Sequence, residues 1–364
     1  MAHTAQERYS DLVLAKLRAE LVLADGFVFN NDYEGDPKAG AVKIPTRDTE
    51  VTVSDYDKAN GISATTGSTS YTALLIDKDK AVNEIIDGYD AASVPDNLVA
   101  DRLDSAGYSL ARQLDTDGAT VLLAGATVTN VASLTKDNIY ANIVDIRTAM
   151  SKANVPDDGK RYLLVTPDTF ALILKSPEFI SASDLGDAVK QQGILGKIAG
   201  FLVKEWNDST ANLAMIAGHP RYATRVHEWS VPVKVQDLSE SGKYIGACAV
   251  QGRRVYGHKV LRSAAIRSVF APGSLTVTLA ASDAGKTIAT VTAGNTGTTY
   301  AYKKNPASRA TYNETSTAYD GTSLTSGTTK IAVSEGDVLE IVNLSSSKVV
   351  AVAYVPVTAS DIGT

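Results

Sequence analysis

One compositional break constrains this chain more than any other feature. At Pro272-Gly273 a mixed body of roughly 270 residues gives way to a stretch of a different kind. Both tryptophans, the only cysteine and all four histidines lie before the break. From Ser274 to Thr364 about a third of the residues are Ser or Thr, and Trp, His, Cys and Met are absent. Adjacent Pro and Gly at such a shift mark a turn or linker. The chain therefore reads as an α+β body followed by an all-β module.

The body's 3.6-residue periods predict its helices. Leu14, Leu17 and Leu21 suggest an amphipathic helix over 7–24, ended by Asp25-Gly26. Val94-Pro95-Asp96 starts the longest one, with Leu98, Leu103, Ala106, Leu110 and Leu114 in one stripe, running to about Ala124. Pro suits the first turn because its missing N–H has no partner to lose there. Ile139, Ile143, Ile146 and Met150 give a further helix over 136–153, and Thr166-Pro167-Asp168 starts a short one to Leu174.

Strand signals surround these helices. Val42 and Ile44, then Val51 and Val53, alternate with polar neighbours, and Pro45 keeps the first run out of a sheet interior. Between Asp55 and Tyr71 the chain is small and polar, so 40–76 reads as two extended arms joined by a long tip. Loops that long are uncommon in compact domains and are usually functional. Runs at 73–76, 85–86, 162–165, 201–203, 213–217, 231–235, 244–256 and 260–270 have strand character. In the module, 275–279, 288–292, 331–333, 338–342 and 349–357 read as the strands of a small immunoglobulin-like sandwich.

Little in the chain suggests chemistry. One cysteine, Cys248 in an apolar run, excludes an internal disulfide framework and a cysteine-based zinc site. Ala284-Gly285-Lys286-Thr287 resembles the end of a phosphate loop, but Ala280 stands where its first Gly is needed. His219, His227 and His258 are sequence-distant and read as ordinary satisfied histidines, and no G-x-S-x-G elbow occurs. The expectation is no catalytic residue, no cofactor and no metal. A net charge of −6 does not suggest a general nucleic-acid binder. No apolar run is long enough to span a membrane, and the N-terminal residues lack a secretory signal.

The order of elements resembles the major capsid proteins of tailed bacteriophages, with their HK97-like fold. Gly40–Ile76 matches the extended E-loop in position and make-up. The helix from Pro95 to Ala124, ending in Leu110-Ala-Arg-Gln-Leu-Asp-Thr-Asp-Gly118, is similar to the spine helix. Tyr162 to Phe170, Ser176 to Phe179 and Gly193 to Val203 resemble the start of the axial domain. The resemblance implies an N-terminal arm (1–39), an E-loop (40–76), a P-domain with spine helix and A-domain (77–273) and the module (274–364).

The implied function is a coat protein that assembles as pentamers and hexamers into an icosahedral shell. The implied partners are identical subunits, a separate scaffolding protein, a portal, DNA touched non-specifically on the inner face, and a host surface reached through the module. Assembly is expected in the host cytoplasm. Charged residues of the loop, Lys43, Arg47, Asp48, Glu50 and Lys58, are the candidate inter-subunit contacts, with complementary charge setting register. The module is expected to fold on its own and face outward. The alternatives are an encapsulin-like compartment shell, a surface binding protein with a sandwich module, and a hydrolase.

Overall fold

The computed structural model describes residues 18–23, 25–34, 40–47, 50–63, 66–67, 69–93, 98–177, 196–293, 297, 299–319 and 322–364. The chain begins with the hairpin strands β1 (Ala41–Arg47) and β2 (Thr69–Leu75), then β3 (Lys78–Ile86), helix α1 (Gly88–Ser93) and the long α2 (Leu98–Gly125). Next are β4 (Thr127–Asn130), α3 (Ile139–Lys152), β5 (Tyr162–Val165) and α4 (Pro167–Leu174). Strands β6 (Lys197–Ile198), β7 (Phe201–Glu205), β8 (Leu213–Gly218), β9 (Ala223–Asp237), β10 (Cys248–Val260) and β11 (Arg267–Phe270) complete the body. The remainder is β12 (Gly273–Ser274), β13 (Thr276–Ala281), β14 (Lys286–Ala293), β15 (Thr299–Lys304), β16 (Ser323–Leu324), β17 (Lys330–Ala332), β18 (Val338–Ser345) and β19 (Lys348–Pro356).

Two compact units result. The first is Met1–Gly125 with His219–Ser263; the second is Ala126–Gly218 with Ala264–Thr364.

In the first unit, α2 lies on the antiparallel sheet β3-β10-β9. Its 28 residues make a rod about 42 Å long. Ala106, Leu110, Leu114 and Leu122 form its buried stripe. Ser109, Thr116 and Thr120 turn their hydroxyls back to carbonyls four residues earlier, which satisfies these polar groups within the helix. The helix ends at Gly125, where any Cβ would sit 2.6 Å from Cβ of Val260. Pro232 is tolerated in β9 because β9 is the edge strand and bulges there, with Pro232 and Val233 opposite Gly252. A Cβ on Gly252 would meet the Val233 side chain at 2.8 Å.

The expected helix over 7–24 finds no support where it can be followed. Residues 18–23 are not helical, and 1–17 lie outside the described residues. Residues 18–23 instead run along α2 as an extended strap, which 25–34 continue through a turn at 26–28 to a bridge from Asn30 to Thr224 of β9. Arg18 pairs with Asp104 at 2.6 Å, the Tyr108 hydroxyl donates to the Ala19 carbonyl, and Val22, Leu23, Val28 and Phe29 are buried.

In the second unit a six-stranded mixed sheet, β4-β11-β8-β5-β7-β6, carries α3 and α4. Strands β5 and β8 are buried at every position, as expected for strands covered on both faces. Ile139, Ile143, Ile146 and Met150 are the buried face of α3, as their spacing predicts. The turn after α3 is organised by Arg161, only 2% exposed, which donates to the carbonyls of Pro156 and Val155 and to Ser151 Oγ.

The C-terminal strands form two facing sheets, β12-β19-β18-β15-β16 and β13-β14-β17. Between them lie Ala289, Ile331, Leu339, Ile341 and Ala353. The outer face of the larger sheet is also covered. Val342, Leu344, Val349 and Val352 pack against Ala310 and Tyr319 of the 305–319 segment. Glu340, fully buried on that face, accepts from Ala310 N at 2.7 Å and from the Tyr319 hydroxyl at 2.8 Å.

Candidate assembly surfaces

The hairpin is anchored at its base and unsupported at its tip. β1 and β2 pair from Ala41↔Leu75 to Arg47↔Thr69. Ile44 and Leu74 point inward and meet Val226, with Tyr33, Val42, Ile76 and Leu261 around them. Beyond the paired arms the chain forms no core. A tight turn hangs on Asp57, which accepts from Ala59 N at 2.8 Å and Asn60 Nδ2 at 2.6 Å. The Ala59 and Asn60 hydrogen bonds hold its carboxyl below the usual range.

The expected strand through Val51 and Val53 does not form. Those side chains are 82% and 94% exposed, and Tyr56 and Ile62 are exposed as well. Alternation alone misleads here because, among the described residues, no strand pairs with this segment. Burying such a side chain is worth roughly 1.5–3 kcal/mol, so several left in water on one loop mark a surface for contact.

The charged residues singled out from sequence are scattered along this hairpin. Lys43 is exposed on β1 opposite Ala73, and Arg47 closes β1 opposite Thr69. Glu50 and Lys58 are exposed in the tip, and Asp48 lies outside the described residues. The alternating run at 77–80 is partly satisfied within the chain, since Arg253 Nε donates to Asp79 at 2.7 Å.

Sequence reading missed a buried polar cluster beneath the N-terminal strap. Arg225 on β9, 2% exposed, donates from Nη1 to Asp25 at 3.0 Å and from Nε to His258 Nε2 at 2.9 Å. Its Nη2 lies 3.8 Å from Asp115 of α2, and its guanidinium stacks over Phe29. Asp115 in turn accepts from Leu23 N, and the Tyr256 hydroxyl donates to Asp117. One cation thus ties strap, helix and sheet together.

Burial shapes every charge in this cluster. It pushes His258 down to about 3, helped by the Arg225 charge, so the ring is neutral and accepts from Arg225. It also raises the Asp115 carboxyl, against the pull of the Leu23 N–H and Arg225. At Asp25 burial works the same way, but the His227 hydrogen bond and Arg225 outweigh it and hold the carboxyl low. No sequence signal marked it, because Arg225 and His258 sit among other polar and charged residues of β9 and β10.

Among the described residues no group of His, Cys, Asp and Glu is placed to hold a metal, and no helix is long and apolar enough to cross a membrane.

Comparison with known proteins gives this architecture its family. A family model described as phage capsid protein matches residues 83–269, just over half of the chain. No curated protein matches. A solved chain from Mycobacterium phage Che8 is 26% identical with a TM-score of 0.62, over 73% of this chain and 96% of that one. The capsid of cyanophage P-SCSP1u aligns at 14% identity with a TM-score of 0.62, over 73% and 92%. The capsid of the Myoviridae phage XM1 gives 16% and 0.52, over 73% and 96%. The chain belongs to the phage capsid protein family, as a major capsid protein with the HK97-like fold.

Proposed function

We propose that pentamers and hexamers of this chain close into an icosahedral shell around phage DNA, with the first unit supplying the main contacts and the C-terminal strands facing outward. The distribution of exposed apolar side chains carries this reading. Among the described residues fourteen large ones are exposed; twelve belong to the first unit, and none lies at or beyond Ala264. Surface buried between copies needs apolar side chains, whereas a domain in solvent does not.

In this reading the 50–63 tip lies on an adjacent subunit, where Val51, Val53, Tyr56 and Ile62 become buried. Lys43, Arg47, Asp48, Glu50 and Lys58 set its register through complementary charge. Assembly takes place in the host cytoplasm with a separate scaffolding protein and a portal. The inner face touches DNA through non-specific contacts, and the outward module is available to a host surface. The role is structural, not enzymatic.

Deleting residues 54–70 tests the central contact. The variant should fold, with the melting temperature of the unassembled subunit preserved, yet form no shells in electron micrographs. A deletion that unfolds the subunit would place the loop in its core and overturn the reading.

A further inference from the structure

The second unit contains an exchange of strands between its body and its C-terminal module. The linker leaves β11 after Phe270 and, as β12, becomes the edge strand of the module's larger sheet. Gly273 and Ser274 pair in parallel with Ala351 and Val352, and Leu275 N donates to the Val352 carbonyl. The module sends a segment back. Thr311 bridges antiparallel to Ala132, just past β4, and Tyr312 N donates to the Val131 carbonyl at 3.0 Å. The Tyr312 ring stacks on Phe270, with centroids 5.6 Å apart and planes 19° apart.

Asn212 pins the crossing. Its left-handed backbone, φ 63°, lets its carbonyl accept from Ala271 N. Its side-chain amide donates both to the Ala271 carbonyl at 3.1 Å and to the Val350 carbonyl of β19 at 2.7 Å. One side chain therefore joins body, linker and module.

We infer that residues 126–218 and 264–364 open and close as one cooperative unit, locked by this reciprocal exchange, so that the module is an obligate part of the shell subunit and not a detachable appendage. The inference does not depend on which way the module faces in the shell. Opening the module alone strands backbone groups of the body that the 311–312 segment satisfies, and opening the body alone strips the module of its edge strand. Buried backbone groups left without partners are costly, which couples the two openings.

Hydrogen exchange on the full chain tests this. In the unaltered protein, amides of β11 and β19 should exchange through the same opening, with the same denaturant dependence. Tyr312→Pro removes the N–H to Val131, and Asn212→Gly removes the bridging amide while keeping the left-handed backbone accessible. Each should speed exchange in both β11 and β19, by about tenfold for the loss of one such interaction. Tyr312→Phe, which keeps the stack and the N–H, should leave both unchanged. If Tyr312→Pro does not fold, Asn212→Gly decides. Independent opening of β11 and β19 in the unaltered chain, or variants that loosen β19 and leave β11 untouched, would overturn the inference.

Discussion

Arg225 donates its Nε–H to His258 Nε2 at 2.9 Å, and both side chains are buried. A neutral imidazole is required for that bond, because a protonated ring has no lone pair to offer. His258 faces Arg225 and His227 from β9, Asp25 from the strap and Lys78 from β3, so the surrounding charge is mixed but the nearest is positive.

Acid should therefore weaken the first unit. His258 titrates near 6.5 when unfolded and near 3 when folded. Between those values the unfolded chain binds the extra proton, so stability falls as pH drops, by at most roughly 1.4 kcal/mol per pH unit for this one group. Asp25, held low in the fold, acts in the same direction as pH falls through its folded value. Asp115, raised by burial, partly offsets them, since its proton is bound more readily in the folded state. Urea unfolding of unassembled subunits at pH 7 and pH 5 reads the slope, and His258→Gln should flatten it. An unchanged slope in that variant would assign the acid sensitivity elsewhere.

Gly125→Ala should destabilise the first unit by about 1–3 kcal/mol, although Ala is the better helix former. The added methyl would collide with Val260. Combining it with Val260→Gly should make the two costs non-additive, because that change removes the Cβ and both methyls that the new group would meet. Strict additivity in thermal melts would show that the contact is not the cause.

Glu340→Gln should loosen the 305–319 segment. The carboxylate accepts from Ala310 N and the Tyr319 hydroxyl and also bonds the Tyr354 hydroxyl, and a glutamine must turn an NH2 toward at least one of these donors. A loss of about 1–3 kcal/mol is expected for a buried donor left without its acceptor. Limited proteolysis should then cut within 305–319 faster than in the unaltered chain; equal rates would mean that the apolar cover alone holds the segment.

The exposed charges of the hairpin should act on assembly and not on folding. Lys58→Glu should slow shell formation at low salt with no change in subunit melting, and the difference should shrink as salt rises, since screening removes long-range charge effects. A salt-independent defect would mean that Lys58 acts by packing.

The local pattern made some elements legible and hid others. The stripe from Leu98 to Leu114 announced α2, and the 4-3-4 spacing from Ile139 to Met150 announced α3. β9 was read only as 231–235, yet it extends from Ala223 to Asp237. Pro232 and the polar residues around Trp229 belong to an edge strand, whose faces need not alternate cleanly. β15 went unread because its Ala301 and its tyrosines are covered from opposite sides, so neither period shows. The Arg225 cluster was out of reach for another reason. Arg225 and His258 face each other across the β9–β10 pairing, while Asp115 comes from α2 and Asp25 from the strap, a convergence of distant segments that no local spacing encodes.

Electron cryomicroscopy of particles formed by the full chain with its scaffold should show icosahedral shells in which residues 50–63 of each copy lie on a neighbouring copy and residues 274–364 stand on the outer surface. Particles whose hairpin tips touch no neighbour, a module on the inner surface, or a chain that never leaves the monomeric state would contradict this arrangement.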